Sequence, residues 1–242
     1  AHLAYRLGPG PHLFRADAAV PKGGLMVVDD HGFDGLGQTG PLCQELLREC
    51  QARGFSGAVL DFEGRLPPLE QIAAKLDEQF TRRGWALYIP ERYASAAPHA
   101  RVMFPSALSG GSLQQRLEEA LARYGESRTV LALEKRAEDF RLPSPTGSGQ
   151  PLSAEELEQL RQRLSPSVFF SRELCARYFT YMSQENGPHF VLFDDGDTLR
   201  RKVEVARQLG IRTFLAPWAE VSACAAQLGI QRRAETRPGR RT

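Results

Sequence analysis

The sequence has few cysteines and lacks the spacings that turn cysteines into a metal or redox site. Its 242 residues include four cysteines, and no two of them form a CxxC pair. This excludes a zinc knuckle and a thioredoxin-type site. Cys43 and Cys50 are seven residues apart on a predicted helix, which is too far for an easy disulfide bridge. We therefore expect buried free thiols.

Long apolar runs and an excess of one charge on the body of the chain are also absent. No apolar run approaches the roughly 18 residues that a membrane-spanning helix needs. The formal net charge is +2, and residues 232–242 contribute +4 of it through five Arg and one Glu, which leaves −2 for the rest. A nucleic-acid-binding domain carries its basic excess on the folded part. The sequence thus predicts no membrane insertion, no nucleic-acid partner and a solvated basic tail over 231–242.

The motifs of several enzyme classes are missing as well. No G-x-S-x-G sequence accompanies His31, the histidine that follows Asp29 and Asp30. The glycine-rich stretches at 8–12 and 108–113 have neither the spacing of a phosphate-binding loop nor a following lysine. We interpret both stretches as turns.

Short apolar runs alternate with amphipathic stretches along most of the chain. Val, Leu and Phe fill the runs without polar alternation, as in strands that are buried on both faces. The predicted strands are 3–7, 25–30, 57–63, 85–91, 101–106, 129–135, 189–195 and 212–218, and the predicted helices are 41–54, 69–84, 112–125, 153–164 and 197–210. This alternation indicates an α/β fold with a parallel sheet, and about eight strands favour a (β/α)8 TIM barrel over an open sheet.

The barrel is predicted to be compact and to form a single domain over residues 1–230. Residues 8–24 are rich in Gly and Pro, so the N-terminal units are abbreviated. A Pro- and Ser-rich loop at 141–151 and an aromatic stretch at 165–188 indicate a small insertion, about 141–188. We expect this insertion before the penultimate strand, which is the run at 189–195.

Acidic residues follow five of the predicted strands, at the ends where TIM-barrel enzymes carry their active sites. They are Asp29, Asp30, Asp61, Glu63, Glu91, Glu134, Asp194 and Asp195. An acid that follows a strand can instead cap the next helix. This alternative to a catalytic role applies most to Asp30, Asp194 and Asp195. Asp61 and Glu63 precede Gly-Arg-Leu-Pro-Pro instead, and side-chain alternation points both in one direction. Their repulsion favours a proton on one of them, as a general acid requires.

Two stretches of the chain resemble family 18 glycoside hydrolases, the chitinase-like barrels. RGFSGAVLDFEG (53–64) is similar to their fourth-strand pattern D-G-x-D-x-D-x-E, with Asp61 and Glu63 at the last two acidic positions. HFVLFDDGDTLRRKVEVARQLGIRTFLAPW (189–218) follows the pattern near the end of that family, which closes on a tryptophan, here Trp218. The likeness covers roughly residues 40 to 221.

The resemblance implies a reaction and a role for each matched residue. Glu63 would protonate the leaving oxygen, and Asp61 would orient the substrate's own 2-acetamido group, which acts as the nucleophile. Trp218 would form the apolar floor under the sugar, although a tryptophan there also suits a barrel core. The further substrate-binding candidates are Glu91, Met103, Tyr181 and Asp30. The expected partner is an oligosaccharide or polysaccharide with 2-acetamido sugars, and the implied reaction uses no metal and no cofactor.

The chain departs from the family at three motif positions. Ser56 and Val59 stand where the first two aspartates of the fourth-strand pattern belong. Pro105 stands where the sixth strand carries the tyrosine of Met-x-Tyr-Asp. Tyr88, Tyr178 or Tyr181 could supply the missing hydroxyl from elsewhere in space.

Two other functions therefore remain open. One is a catalytically inactive chitinase-like protein that binds carbohydrate. The other is a metal-dependent barrel enzyme with Asp61, Glu63, Glu91 and Glu134 as oxygen ligands for Mg²⁺. The hydrolase and the binding protein both favour a secreted or cell-envelope location, because glycan polymers lie outside the membrane.

Overall fold

The structure is a computed structural model that describes residues 1–10, 12–16, 20, 22–144 and 147–230. The predicted basic tail, 231–242, lies outside the described residues. The chain divides into two compact units, Ala1–Phe104 with Ala120–Val130 and Pro105–Glu119 with Leu131–Thr242. None of the helices within the described ranges has the length and apolar character needed to cross a membrane.

The first unit is built on a mainly parallel sheet. Its strands are β1 (His2–Leu7), β2 (Leu13–Arg15), β3 (Leu25–Asp29), β4 (Gly57–Asp61), β5 (Ala86–Pro90), β6 (Arg101–Pro105) and β7 (Thr129–Ala132), and its helices are α1 (Thr39–Ala52), α2 (Pro67–Arg83) and the C-terminal part of α3 (Leu113–Tyr124). The strand order is β7-β6-β5-β4-β3-β1-β2. The neighbours from β1 to β6 pair in parallel, and β2 runs antiparallel to β1.

Helix α2 shows why these segments form the elements that the sequence predicts. Pro67 and Pro68 occupy its first turn, where the missing N–H groups have no intrahelical partner, and Gly84 ends it in the left-handed conformation. One face of the helix buries Leu69, Ile72, Ala73, Leu76 and Phe80 in the core of the first unit. The apolar spacing in the sequence therefore predicts both the helix and its buried face.

The abbreviated N-terminus is visible in the first unit. In the described part of the chain between β1 and β3 there is no helix, and the short strand β2 is the regular element there. The Gly- and Pro-rich composition of residues 8–24 accounts for this, because both residues disfavour helix interiors.

The second unit contains a five-stranded antiparallel sheet. Its strands are β8 (Ala137–Arg141), β9 (Gln150–Pro151), β10 (Phe169–Ser171), β11 (Ala176–Ser183) and β12 (Gly187–Phe193), in the order β10-β11-β12-β8-β9. The other elements are α4 (Ala154–Leu164), α5 (Gly196–Gln208), β13 (Thr213–Leu215) and α6 (Trp218–Val221). Beside the end of β7, Leu133 N–H donates to Leu215 O over 2.7 Å.

The run at 189–195 was predicted as a barrel strand, and that prediction is wrong. It forms β12, which pairs antiparallel with both β11 and β8. Val191 and Phe193 pack against Leu160 of α4, whereas Phe190 and Leu192 pack with Phe140 on the other face. A strand with apolar residues on both faces has the same sequence pattern in a parallel sheet and in this one. The inserted segment therefore includes β12 as well. It begins at β8, a few residues before the predicted boundary at about residue 141.

Asp194 and Asp195 hold the start of α5. Asp195 caps the helix and accepts a hydrogen bond from Thr198 N–H over 2.9 Å, so the capping interpretation is correct for this residue. Asp194 forms an ion pair with Lys202 over 2.7 Å, and both side chains are almost completely buried. These two acids are therefore structural, and breaking the buried pair would leave an uncompensated charge in the core.

The four cysteines are free thiols, as predicted. Burial raises the pKa of the Cys43 thiol to about 11, and it raises that of Cys50 to the same value. A thiol with so high a pKa is a poor nucleophile at neutral pH. Both residues therefore serve as small apolar side chains on the buried face of α1.

Candidate active site

A cleft of about 510 Å³ lies at the carboxyl ends of β3 and β4 in the first unit. Its ionisable lining residues are Arg6, Asp29, Asp30, His31, Asp61 and Glu63. The acids of two adjacent strands therefore meet in one cleft, and their role in catalysis stays a prediction. A larger cavity of about 610 Å³ lies in the second unit, and Asp194 and Asp195 are the predicted strand-end acids that line it.

Asp61 and Glu63 point to the same side of the chain, as the alternation predicted. Both are exposed, whereas Phe62 between them is buried with 1% of its surface accessible. The Phe62 ring packs edge-on against Tyr93, with 6.1 Å between the ring centroids. The buried phenylalanine thus turns both carboxylates toward the cleft.

The surroundings of Asp61 favour its protonated form. Burial by the surrounding protein atoms raises the pKa of Asp61, and the negative charges of Glu63, Asp29 and Asp30 raise it further. The residue remains accessible to solvent, since the cleft is open on one side. Among the described residues, no side chain or backbone group forms a hydrogen bond with the Asp61 carboxylate.

Asp29 and Arg6 form a bidentate ion pair in the same cleft. Arg6 Nε lies 2.9 Å from Asp29 Oδ1, and Arg6 Nη2 lies 3.0 Å from Asp29 Oδ2. The backbone N–H of His31 also donates to Asp29 Oδ1 over 3.2 Å. This fork geometry neutralises Asp29 and orders the rim of the cleft.

The turn after β4 is held from two sides. Asp30 accepts hydrogen bonds from the backbone N–H groups of Glu63 and Gly64. The carbonyl oxygens of the same two residues accept hydrogen bonds from Arg92, and Tyr93 also donates to Gly64 O. Sequence reasoning missed Arg92 and Tyr93. The signal available in the sequence was that both residues come shortly after β5, the strand that pairs with β4.

Two further candidates in the first unit do not line the cleft. Glu91 begins a short 3₁₀ helix and lies 3.5 Å from the hydroxyl of Tyr124 and 3.9 Å from Arg123. Met103 lies half-buried on β6 opposite Pro90. Substrate contact by Glu91 or Met103 stays a prediction.

The other two candidates belong to the second unit. The hydroxyl of Tyr181 donates to Asp139 over 2.6 Å, and its ring stacks on His189 at 4.6 Å. Burial and this hydrogen bond raise the pKa of Tyr181. Trp218 is the first residue of α6, and 46% of its surface is accessible. The predicted contacts of Tyr181 and Trp218 with a sugar remain untested.

The departures from the family pattern are visible in the structure. Val59 lies in the middle of β4 with 6% of its surface accessible, so an apolar side chain fills the place of the second aspartate. Ser56 donates from its hydroxyl to Gly24 O over 2.9 Å, which ties the start of β4 to the segment before β3. Pro105 is an exposed residue at the end of β6.

The structure offers little support for the predicted magnesium site. Within the described ranges there is no group of three or more His, Cys, Asp or Glu residues arranged to hold a metal ion. Glu91, one of the proposed ligands, contacts Tyr124 instead of the cleft. The backbone N–H of Glu134, another of them, donates to Ser106 Oγ in the second unit.

No protein-family model matches the sequence, and no curated protein matches it significantly. Comparison of structures does find similar proteins. A class V chitinase from Pseudomonas fluorescens superposes with a TM-score of 0.67 at 14% identity, over 93% of this chain and 89% of the chitinase. A chitinase from Chromobacterium violaceum superposes with a TM-score of 0.64 at 14% identity, over 95% and 91% of the two chains.

The fold is that of the chitinase-like (β/α)8 barrels. The spore cortex-lytic enzyme SleL of Bacillus cereus shares it, with a TM-score of 0.66 at 12% identity over 93% of this chain and 66% of SleL. The resemblance to a chitinase-like barrel, inferred from residues 53–64 and 189–218, is thus confirmed at the level of the fold. At such low identity, the chemistry of this chitinase-like barrel has to be argued from its own residues.

Proposed function

We propose that this protein is a glycoside hydrolase that cleaves glycans containing 2-acetamido sugars with retention of configuration. The observation that carries the proposal is the end of β4, where Asp61 and Glu63 face one cleft and Phe62 between them is buried. The similar structures are those of two chitinases and a spore cortex-lytic enzyme, which supports a polysaccharide as the substrate.

In the proposed reaction, Glu63 is the general acid. Its carboxyl group donates a proton to the glycosidic oxygen as the bond to the anomeric carbon breaks. The carbonyl oxygen of the substrate's 2-acetamido group attacks that carbon and forms an oxazolinium-type intermediate. The Glu63 carboxylate then takes a proton from a water molecule, which opens the intermediate and restores the acid.

Asp61 has the complementary role of orienting the acetamido group. Its carboxylate would accept the hydrogen bond of the acetamido N–H and stabilise the positive charge that develops there. The carboxylate is available for this contact, because the described residues supply it with no hydrogen-bond donor. Burial removes water from the Asp61 carboxylate, and this loss of hydration is the main cause of its raised pKa. The acetamido N–H of the substrate would replace part of that hydration.

The test is turnover of fluorogenic N-acetylglucosamine dimers and trimers by the wild type and by Glu63→Gln. The amide cannot donate an acidic proton, so we expect kcat to fall by about 10²-fold or more. Glu126→Gln, a change in an exposed residue of the turn after α3, is the matched control and should keep full activity. Unchanged turnover in Glu63→Gln would contradict the proposal.

A second candidate function is carbohydrate binding without catalysis. The specific observation in its favour is Val59, a buried apolar residue that leaves Asp61 without a polar neighbour on β4. This function predicts that the wild type and Glu63→Gln bind N-acetylglucosamine oligomers equally well in calorimetry and release no fluorophore. Failure to bind any 2-acetamido sugar would count against both functions.

A further inference from the structure

We propose that Asp30 is a positioning residue that sets the direction of the Glu63 side chain through the backbone of residues 63 and 64. The inference rests on the proposed function, in which Glu63 is the acid. It gives Asp30 a different role from the substrate contact predicted from the sequence.

Both carboxylate oxygens of Asp30 are already occupied by backbone donors. Oδ1 accepts from the N–H of Glu63 over 2.9 Å, and Oδ2 accepts from the N–H of Gly64 over 2.8 Å. Such charge-assisted bonds are stronger than those between neutral groups. Asp30 directly follows β3, the parallel neighbour of β4, so one strand end holds the turn that follows the other.

The carbonyl groups of the same segment are held from the opposite side. Arg92 contacts Glu63 O and lies 3.2 Å from Gly64 O, and the Tyr93 hydroxyl donates to Gly64 O over 2.7 Å. The Tyr93 ring also packs against Phe62. The backbone N–H and C=O groups of both Glu63 and Gly64 therefore have partners.

The fit between Asp30 and the turn depends on a glycine. A Cβ atom at Gly64 would lie 2.6 Å from Asp30 Oδ2 and 3.0 Å from Leu69 Cδ1. Both distances are too short for the present arrangement. A side chain at residue 64 would therefore push the turn away from the Asp30 carboxylate.

The Glu63 carboxylate has no support of its own. It is exposed, and within the described part of the chain it forms neither a hydrogen bond nor an ion pair. Its direction is therefore set by the backbone from which it projects. A displacement of a catalytic group by about 1 Å lowers the reaction rate roughly 10²-fold. The Asp30 contacts therefore matter for the reaction as well as for the turn.

The experiment compares Asp30→Ala and Asp30→Asn with Asp34→Ala in the full chain. Asp34 is the matched control, because its carboxylate also accepts backbone N–H groups, those of Gly10 and Leu36, but it does not hold residues 63 and 64. We expect Asp30→Ala to lower kcat by about 10²-fold with a change in KM below about threefold. Asp30→Asn keeps one acceptor oxygen and should restore part of kcat.

Amide hydrogen exchange at Glu63 and Gly64 tests whether Asp30 holds the turn, whereas kcat tests whether the turn positions Glu63 for the reaction. Exchange at both amides should be faster in Asp30→Ala than in the wild type and unchanged in Asp34→Ala. A rise in KM alone, or a fall in kcat without faster exchange, would show direct substrate contact by Asp30 and overturn the inference. Faster exchange with unchanged kcat would overturn it as well. If the wild type turns over no substrate, the proposed function fails, and unchanged exchange would still refute the Asp30 contacts.

Discussion

Four carboxylates line the cleft, and their neighbours divide them into two pairs. Asp29 is neutralised by the guanidinium of Arg6, and Asp30 is bound by two backbone amides. The carboxylate groups of Asp61 and Glu63 form no hydrogen bond with the described residues. The first pair therefore holds the site together, whereas the second pair is available to a substrate.

The unpaired Asp61 should reduce the stability of the protein at neutral pH. Its pKa lies above the usual 3.8, so the folded state binds a proton there more tightly than the unfolded state does. The carboxylate therefore costs stability above its folded pKa, and the cost disappears as pH falls through that value. We expect Asp61→Asn to raise Tm at pH 7, by about 2 °C at most because solvent screens the charge, and the difference should vanish near pH 4.

Thermal unfolding between pH 4 and pH 8 measures this difference. Glu126→Gln, a change in an exposed residue of the turn after α3, is the control for the loss of a surface carboxylate. A lower Tm for Asp61→Asn at pH 7 would show that the carboxylate stabilises the fold and would contradict the prediction.

At the scale of secondary-structure elements, the position of the site depends on how closely β4 approaches β5. Gly57 pairs with Ala86, and a Cβ atom on Gly57 would lie 2.1 Å from Ala86 O. The strand therefore needs glycine at its first residue. Four residues later the same strand presents Asp61, so its register against β5 places the candidate acids at the cleft.

Gly57→Ala should destabilise the protein by about 1–3 kcal/mol, because the backbones have to separate. Gly40 in α1 is the matched control, since a Cβ atom there meets nothing within 4 Å. Gly40→Ala should be neutral or stabilising by about 0.5–1 kcal/mol. Midpoints of urea unfolding measure both changes, and equal midpoints for the two variants would contradict the close-approach argument.

At the scale of the whole molecule, the described chain consists of two compact units. The core of the first unit joins the parallel strands to α1 and α2, and in the second unit Leu160 of α4 packs on the antiparallel sheet. The chain passes from one unit to the other three times, at the end of β6, within α3 and within β7. A single folding domain over 1–230 stays a prediction for this arrangement.

Scanning calorimetry of the full chain tests that prediction. A single domain should unfold in one transition, with a calorimetric enthalpy equal to the van't Hoff enthalpy. For a chain of 242 residues the enthalpy is about 170 kcal/mol near 60 °C. Two separate transitions, or a calorimetric enthalpy well above the van't Hoff value, would show that the two units unfold independently.

Local patterns in the sequence predicted most of the elements. The predicted helices 153–164 and 69–84 lie within two residues of α4 and α2, because a helix end, such as the Ser153 cap of α4 or the Gly84 stop of α2, involves residues that are neighbours in the chain. The direction shared by Asp61 and Glu63 was also predicted correctly, since it follows from strand alternation. The sheet of β12 was predicted wrongly, because burial on both faces does not reveal which strands lie beside it.

The sequence by itself therefore determined the barrel-type alternation of elements, the free thiols and the pair of acids at the end of β4. Only the tertiary structure decided which acids come together. Glu91 lies next to Tyr124, Asp194 pairs with Lys202, and Asp30 binds the turn that carries Glu63. Propensity and periodicity depend on residues a few positions apart, whereas these contacts join residues that are brought together by the packing of separate elements.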